Sequence, residues 1–579
     1  MAIDLNQNGS RETTSIFHGP REPPLLDWTT TQLLEFGAQH YPNHTAVISS
    51  WQGLKSTYQE LQKDVEQLAR VILASGVGHG DRVMVLAGNS MEFVHIYLAT
   101  TYIGAIFTII NPMFTIKEIA SAIELIEPRM IFVSRRIGFR KNDKILQMVS
   151  SLNTSAEKTV QVVYMGSETS EYGSALSYTQ FLQRGKVINK NQDLNRDVHV
   201  NPNDVCCFQF TSGTTGPRKA SMLSHSNFIN NGQLVGNLLE LTEKDILCCP
   251  PPLFHCFGLV CGLLAALSHG STLVLPSEVF DPTKVLETLV KEKCTVINAV
   301  PTMFQSILDQ EALSAKVSSQ LSLRTGIIAG ASLSRDLLQK INDRLALNGL
   351  IYPFGMTELS AVSLSTTRDI SLLSNWTTVG KPLPHTSIKV IDTDGTVLPP
   401  GSSGELCVSG YLVHKGYYKA PEKSAEVVRI DENGTAWLHT GDIVSLAPDG
   451  TCTVLGRVKD MIKKGGENVI PKDIEEIIQA HPSVTNVAVV GVPHAKWGES
   501  VIAFVQEESS SKSTLNEKEL KTWLRKHDLA PHKMPDHFFV ASEENGLPSG
   551  LPVNASGKVL KTELRQLAQN LVAKGGKLN

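Results

Sequence analysis

The order of apolar and polar residues predicts helices and strands that alternate through the first part of the chain. Between residues 58 and 73, apolar side chains recur every three or four positions, the spacing of an amphipathic helix. A short apolar run at 82–87 has the length of a buried strand, and residues 90–103 read as a buried helix. Further strands are predicted at 131–134, 160–164, 205–210, 271–275, 296–299 and 325–329, and a polar surface loop at 167–201. This alternation favours an α/β architecture with a largely parallel sheet.

The pattern changes after residue 380, where short strands alternate with Gly, Asp and Pro turns. This texture is typical of an antiparallel subdomain, with strands predicted at 387–391, 404–408, 437–439 and 452–455. The predicted fold class is therefore α/β, with a large N-terminal domain of two α/β subdomains plus a small antiparallel β subdomain. A small mobile α+β C-terminal domain follows it. The expected boundaries are 1–455 for the N-terminal domain, 456–468 for a glycine- and charge-rich hinge region, and 469–579 for the C-terminal domain.

Composition narrows the class of protein. The net charge of −4 gives no electrostatic basis for nucleic-acid binding, and no apolar run reaches the roughly 18 residues that span a bilayer. The nine cysteines include no Cys-x-x-Cys pair, which is typical of reduced thiols, so a cytoplasmic location is expected. Arg11 and His18 have the spacing of an N-terminal peroxisomal signal, although Glu12 and Gly19 fit that signal poorly. A peroxisomal location is thus the alternative.

A loop rich in small hydroxyl residues follows the strand predicted at 205–210. Gly213 and Gly216 can adopt positive φ, so that backbone N–H groups turn inward around an anion. Lys219 supplies a movable positive charge. Four hydroxyl side chains add donors: Thr211, Ser212, Thr214 and Thr215. The segment lacks the Gly-Lys-Ser/Thr of a Walker loop. In isolation it reads as a polar surface turn. The two adjacent cations, Arg218 and Lys219, together with the motifs further along the chain favour phosphate binding.

Five further segments carry reactive side chains. Taken singly, each has an ordinary structural interpretation: His255 as a buried core histidine, Glu358 as a carboxylate at a helix start, Lys558 as a surface lysine. The segments are 252–258 (Pro-Leu-Phe-His-Cys-Phe-Gly), 353–358 (Pro-Phe-Gly-Met-Thr-Glu), 437–442 (Trp-Leu-His-Thr-Gly-Asp), 456–468 (Gly-Arg-Val-Lys-Asp-Met-Ile-Lys-Lys-Gly-Gly-Glu-Asn) and 551–558 (Leu-Pro-Val-Asn-Ala-Ser-Gly-Lys).

The joint order of these motifs closely resembles the adenylate-forming, or AMP-binding, superfamily, which includes acyl-CoA synthetases, 4-coumarate ligases, luciferases and stand-alone adenylation domains. The resemblance runs from Tyr58 to Leu564, most of the chain. Within the superfamily the chain looks most like the medium-chain acyl-CoA synthetases. The residues that indicate this branch are 15–19 (Ser-Ile-Phe-His-Gly), 24–26 (Pro-Leu-Leu) and 208–213 (Phe-Gln-Phe-Thr-Ser-Gly).

The resemblance implies an ATP-dependent acyl-CoA ligase. A carboxylic acid and ATP would give acyl-AMP and pyrophosphate, and coenzyme A would then take the acyl group as a thioester. It implies that the loop from Thr211 to Lys219 holds the β- and γ-phosphates, and that Glu358 helps to hold Mg²⁺. The other implied contacts are Phe354 with adenine, Gly330 with the adenine and acyl pocket, Thr357 with the α-phosphate, Asp442 and Arg457 with the ribose, and His255 near the acyl carboxylate.

The C-terminal residues have separate implied roles. Lys558 would bridge the attacking carboxylate and the α-phosphate, where it neutralises charge in the transition state. Relatives rotate the C-terminal domain between the half-reactions about a hinge residue that corresponds to Lys459. Four residues would then approach the pantetheine arm of CoA: Gly465, Gly466, Glu467 and Asn468.

Two departures and several alternatives remain at this stage. Arg218 and Ala220 replace the usual Pro and Gly of the phosphate loop, which predicts altered loop stiffness with activity retained. The acyl acceptor could instead be the pantetheine of a carrier protein in secondary metabolism. An amino-acid adenylation domain is disfavoured, because residues 254–257 (Phe-His-Cys-Phe) lack the usual Asp. A non-catalytic derivative is disfavoured by the retained motif residues, whereas luciferase-like activity stays open. The identity of the acid is not readable from the sequence.

Overall fold

The computed structural model of the protein describes residues 16–151, 160–165, 175–185, 199–211, 218–331, 333–507, 515–548, 550–553 and 559–573. The chain divides into two compact units. The larger unit comprises His18–Thr386 and Ser409–Leu438, and the smaller unit comprises Met1–Phe17, Ser387–Val408 and His439–Asn579. The domain boundaries 455 and 468 stay sequence predictions.

Within the described part of the larger unit, the main scaffold is a pair of seven-stranded sheets. Each sheet is parallel except for the antiparallel strand at one edge. The first runs in the order Leu176–Ser177, Gln161–Met165, Met130–Ser134, Arg82–Leu86, Ile106–Ile109, Val205–Phe210 and Ala220–Ser224. The second runs Leu350–Ile351, Thr325–Ile328, Val296–Ala299, Ile246–Cys248, Thr272–Leu275, Thr45–Ser49 and Leu54–Thr57. The expected α/β class with largely parallel sheets is confirmed.

Helices cover these sheets. The helix Tyr58–Ala74 begins at Thr57, whose side chain and Glu60 form a capping box, and it buries Leu61, Val65 and Leu68. Among the described residues of the unit, the other α-helices are Thr30–His40, Met91–Tyr102, Ile116–Ile126, Asp143–Ser150, Tyr178–Gly185, His225–Leu238, Cys256–Gly258, Ala265–Leu267, Pro282–Lys291, Pro301–Leu308, Ala315–Ser318, Arg335–Leu345, Leu372–Asn375 and Pro421–Val427. Across the described ranges, no helix has the length and apolar character needed to cross a membrane.

Alternate residues of the parallel strands enter different cores. In the strand Arg82–Leu86, Val83 and Val85 face the core that includes residues of both sheets, whereas Met84 and Leu86 face the opposite core. Burial on both faces explains why these strands read as continuous apolar runs in the sequence. All nine cysteines lie within the described residues, where they are buried and form no disulfide bond.

The prediction of a surface loop at 167–201 is wrong in part. Residues Leu176–Ser177 form the edge strand of the first sheet, and Tyr178–Gly185 form a helix. The Phe181 side chain is buried and joins the main core. The polar composition of the surrounding stretch concealed this short amphipathic element.

The smaller unit has two sheet regions. In the first, the strands Thr386–Ile391, Ser403–Gly410 and Ala436–Leu446 lie in that order, and Cys452–Arg457 pairs antiparallel with the third. In the second, Val484–His494 and Gly498–Glu507 form a long antiparallel pair. The strands Glu467–Val469, Ile462–Lys464 and His537–Val540 extend that pair.

Helices pack on both faces of the second sheet region. Val487 and Val489 face the core formed with the helices Pro471–Gln479 and Glu517–Lys526. Ala488 and Val490 face the core formed with Lys561–Ala573. The predicted compact α+β arrangement in this part of the chain is therefore present.

Candidate active site

The hydroxyl-rich loop connects the antiparallel strands Val205–Phe210 and Ala220–Ser224. At its base the Thr211 N–H donates to the Lys219 carbonyl oxygen at 3.0 Å, so the two ends of the loop are tied together. Ser212, Gly213, Thr214, Thr215 and Gly216 lie outside the described residues. The described part of the predicted phosphate loop thus consists of its two ends, at Thr211 and Arg218–Lys219.

The two cations after this loop have different surroundings. The Arg218 guanidinium stacks 3.8 Å above the Phe114 ring and pairs with the Glu118 carboxylate. Partial burial raises the pKa of Glu118, but hydrogen bonds from Arg218 and Thr115 outweigh it, so the net shift is downward. Arg218 is thus tied to the helix Ile116–Ile126, which gives a structural role to the residue that departs from the family pattern.

Lys219 lies beside an aromatic side chain that connects it to Glu358. The Lys219 Nζ is 4.8 Å from the centre of the Tyr417 ring, and the Tyr417 hydroxyl donates to Glu358 Oε1 at 2.8 Å. Burial and the adjacent Glu358 carboxylate raise the pKa of Tyr417, which keeps the phenol protonated as a donor. The predicted phosphate lysine and the predicted magnesium ligand therefore share one neighbour.

A strained turn holds Phe354, Thr357 and Glu358. Thr357–Leu359 is a single 3₁₀ turn, followed by Ser360 at φ 59° and Ala361 at φ 109°. The Ser363 N–H closes the turn on the Phe354 carbonyl oxygen at 2.9 Å. Positive φ at two consecutive non-glycine residues is uncommon and costs conformational energy. The turn therefore fixes the direction in which Glu358 leaves the backbone.

The buried residue His414 stabilises the same turn through a backbone hydrogen bond. The His414 N–H donates to the Glu358 carbonyl oxygen at 3.0 Å, and His414 Nδ1 lies 2.8 Å from Ser221 Oγ. Burial lowers the pKa of His414 to about 4, so the ring is neutral at physiological pH. The sequence analysis missed Tyr417, His414 and Ser221. His414 follows the apolar residues 412–413, whereas Tyr417 lies in the polar segment 414–419 and gave no such signal.

The other predicted residues of the larger unit lie at turns. Gly330 has φ +89° after the strand Thr325–Ile328, a conformation that L side chains rarely adopt. The Tyr352 hydroxyl donates to the Ala331 carbonyl oxygen at 3.1 Å, which ties this turn to the residues before Phe354.

His255 is exposed and caps a short helix, contrary to the simple expectation of a buried core histidine. Its Nδ1 accepts a hydrogen bond from the Phe257 N–H at 3.2 Å. The helix Cys256–Gly258 continues into a π-helical turn, Leu259–Leu264, and Asn298 donates to the Cys261 carbonyl oxygen there at 2.8 Å. Such π-helical turns frequently occur at functional sites.

In the smaller unit, Asp442 and Arg457 form a two-point ion pair. They are opposite residues of antiparallel strands, and Arg457 Nε donates to Asp442 Oδ1 at 2.8 Å while Nη2 lies 3.4 Å from Oδ2. The Asp442 side chain is buried, and its N–H donates to Thr440 Oγ1. The structure thus brings together the two residues predicted to contact ribose.

The predicted hinge residue lies in a 3₁₀ turn, Val458–Asp460, immediately after Arg457. Partial burial and the neighbouring Arg457 cation lower the pKa of Lys459, with Asp460 and Asp442 opposing the shift. Asp460 also lies 3.5 Å from the Arg565 guanidinium, so the turn contacts the last described helix.

The residues predicted to approach CoA form an exposed hairpin. Gly465 and Gly466 have φ +63° and +89° between the strands Ile462–Lys464 and Glu467–Val469, as a tight two-residue turn requires. The Gly465 N–H donates to the Trp497 carbonyl oxygen at 2.7 Å. Glu467 and Asn468 are exposed beside them, whereas Lys558 lies outside the described residues.

Comparison with known families identifies the chain. The model of the AMP-binding enzyme family matches residues 34–418, and that of the AMP-binding enzyme C-terminal domain matches residues 473–558. The chain belongs to the AMP-binding enzyme family. The resemblance stated from the motifs is therefore confirmed.

Relatives of this AMP-binding enzyme are acyl-CoA ligases. The acyl-CoA ligase sidI of Aspergillus fumigatus is 39% identical, over 96% of this chain and 94% of its own length. The mitochondrial medium-chain acyl-CoA ligase ACSF2 of Danio rerio is 31% identical, over 96% of this chain and 90% of its own length. The crystal structure of ATP-bound MatB from Rhodopseudomonas palustris has a TM-score of 0.79 and 27% identity, and covers 94% of this chain and 100% of that one.

Proposed function

We propose that this AMP-binding enzyme activates a medium-length or otherwise modest apolar carboxylic acid and transfers it to CoA. The chain is an ATP-dependent acyl-CoA ligase, in agreement with its family and its relatives. The observation that carries the assignment of residues is the contact series Lys219–Tyr417–Glu358. It holds a cation and a buried carboxylate beside the anchored ends of the hydroxyl-rich loop.

The first half-reaction needs the charge of ATP to be balanced. A carboxylate oxygen of the acid attacks the α-phosphorus, the bond to the bridging oxygen breaks, and pyrophosphate leaves. In the proposal, the 211–219 loop and Lys219 hold the β- and γ-phosphates, and Thr357 contacts the α-phosphate. Preorganised donors and cations of this kind typically contribute about 10²–10³ in rate each.

Glu358 has the properties of a magnesium ligand. Its carboxylate is a hard oxygen donor, and Tyr417 orients one of its oxygens. Mg²⁺ characteristically binds to one or two carboxylates together with substrate phosphates and water, so a single buried carboxylate fits the ion. Bound there, Mg²⁺ would neutralise charge on the leaving pyrophosphate.

The contacts with the nucleoside are proposed residue by residue. In the proposal Phe354 packs against adenine at the turn that Gly330 adjoins, and Asp442 accepts hydrogen bonds from the ribose hydroxyls. Arg457 orients Asp442 through the two-point ion pair, which leaves the remaining lone pairs of the carboxylate for the ribose. In the proposal, His255 and Phe257 lie near the carboxylate of the acid.

The second half-reaction is assigned to the C-terminal domain. The CoA sulfur attacks the carbonyl carbon of acyl-AMP, the bond to phosphate oxygen breaks, and AMP leaves. Lys558 serves the first step, and rotation about Lys459 then brings the exposed hairpin with Gly465 and Gly466 beside the pantetheine arm. A glycine turn without side chains allows such an arm to approach the backbone closely.

Pyrophosphate release across a panel of acids tests the proposal. Acetate, hexanoate, decanoate, cinnamate, mevalonate and amino acids are each supplied with ATP and Mg²⁺, with and without CoA. The expected result is release with an apolar acid of modest size and a CoA thioester when CoA is present. If acyl-AMP forms but passes its acyl group only to a carrier-protein pantetheine, that pantetheine replaces CoA as the acceptor. Absence of pyrophosphate release with every acid would contradict the proposal.

A further inference from the structure

Three metal-ligating side chains meet on neighbouring strands of the smaller unit. Glu405 and Cys407 are two residues apart on the strand Ser403–Gly410, so they share one face of the sheet, and His439 lies on the adjacent strand Ala436–Leu446. One carboxylate oxygen, the thiol sulfur and a ring nitrogen all lie within 4.8 Å of one another. None of the three is assigned a role in the proposed reaction.

The two separations that involve His439 are close to the edge lengths of a coordination tetrahedron. His439 Nδ1 is 3.1 Å from Glu405 Oε2 and 3.7 Å from Cys407 Sγ. Bonds of 2.0–2.2 Å to N and O and 2.3 Å to S place tetrahedral ligands about 3.3–3.6 Å apart. The contacts of His439 with Glu405 and with Cys407 therefore suit a shared ion, and all three ligand atoms lie within 4.8 Å of one another.

Burial and chemistry also suit an ion. The Cys407 side chain is buried, while the His439 and Glu405 side chains remain 12% and 24% exposed, so the cluster borders solvent on one side. A thiolate, an imidazole and a carboxylate together prefer zinc-like cations over Mg²⁺, which prefers oxygen ligands alone.

We propose that Glu405, Cys407 and His439 form a binding site for one zinc-type divalent cation, distinct from the magnesium site at Glu358. A solvent ligand occupies the fourth position. Binding removes the proton from Cys407 Sγ and places the His439 proton on Nε2, so that Nδ1 bonds to the ion. Because a proton is released, affinity increases with pH.

The site is coupled to the strand that carries Asp442. The other oxygen of Glu405 accepts a hydrogen bond from the Gly441 N–H at 2.9 Å, one residue before Asp442. Thr440 Oγ1 also bridges the two strands by donating to the Leu406 carbonyl oxygen at 2.8 Å. A cation on Glu405 withdraws charge from the first of these bonds and weakens the anchoring of the strand at Gly441, next to Asp442. This second step rests on the ribose role proposed for Asp442.

Metal binding by the full-length protein tests the site directly. Metal-stripped protein is dialysed against Zn²⁺ in excess Mg²⁺, and separately titrated with Co²⁺, whose thiolate charge-transfer absorption reports a Co–S bond. The expected result is one Zn²⁺ per chain and a thiolate band with Co²⁺. Cys407→Ser should abolish the band, and His439→Gln should weaken Zn²⁺ binding at least tenfold.

Cys452→Ser is the matched control, since Cys452 is another buried cysteine of the same unit that is not part of the cluster. It should bind Zn²⁺ as the wild type does. Absence of bound Zn²⁺, or binding that Cys407→Ser and His439→Gln leave unchanged, would overturn the site and leave an ordinary hydrogen-bonding contact between His439 and Glu405. The coupling is tested separately: Zn²⁺ should raise the KM for ATP several-fold in the wild type and leave it unchanged in Cys407→Ser. An unchanged wild-type KM would overturn the coupling alone.

Discussion

At the scale of single residues, the Tyr417 hydroxyl donates to the Glu358 carboxylate at 2.8 Å and so fixes the orientation of that group. The motif at 353–358 marks Glu358 in the sequence, but Tyr417 is 59 positions further along the chain. Its hydroxyl has no local partner that a sequence pattern could reveal. The role of Tyr417 becomes visible only when folding places its ring between the Lys219 ammonium and the Glu358 carboxylate.

Replacement of Tyr417 by Phe tests this support. The ring beside Lys219 is kept, and only the hydrogen bond to Glu358 is removed. A hydrogen bond to a charged group is worth about 1.5–3 kcal/mol, so adenylation at limiting Mg²⁺ should slow by about 10- to 100-fold. The loss should shrink as Mg²⁺ is raised, as measured by ATP–pyrophosphate exchange. Tyr418→Phe, whose ring packs against Phe208, is the control and should behave as the wild type. A deficit independent of Mg²⁺ would refute the link to metal binding.

Two buried histidines predict a loss of stability in acid. Burial lowers the pKa of His225 and of His414 to about 4, from an ordinary value of 6.5. The unfolded chain therefore binds protons that the folded chain excludes, so the stabilisation is complete above about pH 6.5 and is lost as the pH falls towards 4. Each histidine should lower the free energy of unfolding by about 2 kcal/mol when the pH falls from 7.5 to 5. Urea unfolding of the wild type and of His225→Gln measures this, and equal slopes for the two proteins would contradict it.

At the scale of elements, strand and helix positions followed from the sequence where burial is uniform. The predicted strand at 296–299 and the strand Val296–Ala299 coincide, because both of its faces are covered by apolar side chains. The turn at 355–361 could not be derived in this way. Its positive φ values occur at Ser360 and Ala361, and neither residue type favours that conformation.

Gly355→Ala tests how tightly this turn is built. A Cβ at Gly355 would lie 1.9 Å from the Ala361 carbonyl oxygen, so the backbone must move. The expected cost is about 1–3 kcal/mol of unfolding free energy, together with loss of adenylation as Glu358 is displaced. Gly78→Ala is the control, since its Cβ would meet no atom within 4 Å. Equal stability and activity of the two variants would show that the turn tolerates displacement.

At the scale of the whole molecule, the sequence predicted the class of enzyme better than the structure alone could. The order of the motifs identified a two-step ligase. The folded chain by itself shows two units, each with its own core, and this division does not name a reaction. The identity of the acid did not follow at either stage, because a difference of one methylene changes binding by only about 1–3 kcal/mol.

Lys459→Pro tests the proposed rotation. Proline restricts φ in the turn Val458–Asp460 and should stiffen it. Thioester formation from supplied acyl-AMP should slow more than ATP–pyrophosphate exchange, because in the proposed mechanism only the former requires the second domain position. Lys459→Arg, which keeps the charge and the backbone freedom, serves as the control. A uniform loss in both half-reactions of the proline variant would contradict the hinge.

The division of the two half-reactions between Lys558 and the rest of the site is tested most directly by Lys558→Ala. Each half-reaction is measured alone, as ATP–pyrophosphate exchange with an accepted acid and as conversion of supplied acyl-AMP to acyl-CoA. The account predicts that exchange falls by at least about 10²-fold while conversion of acyl-AMP continues at nearly the wild-type rate. An equal loss of both activities would contradict it.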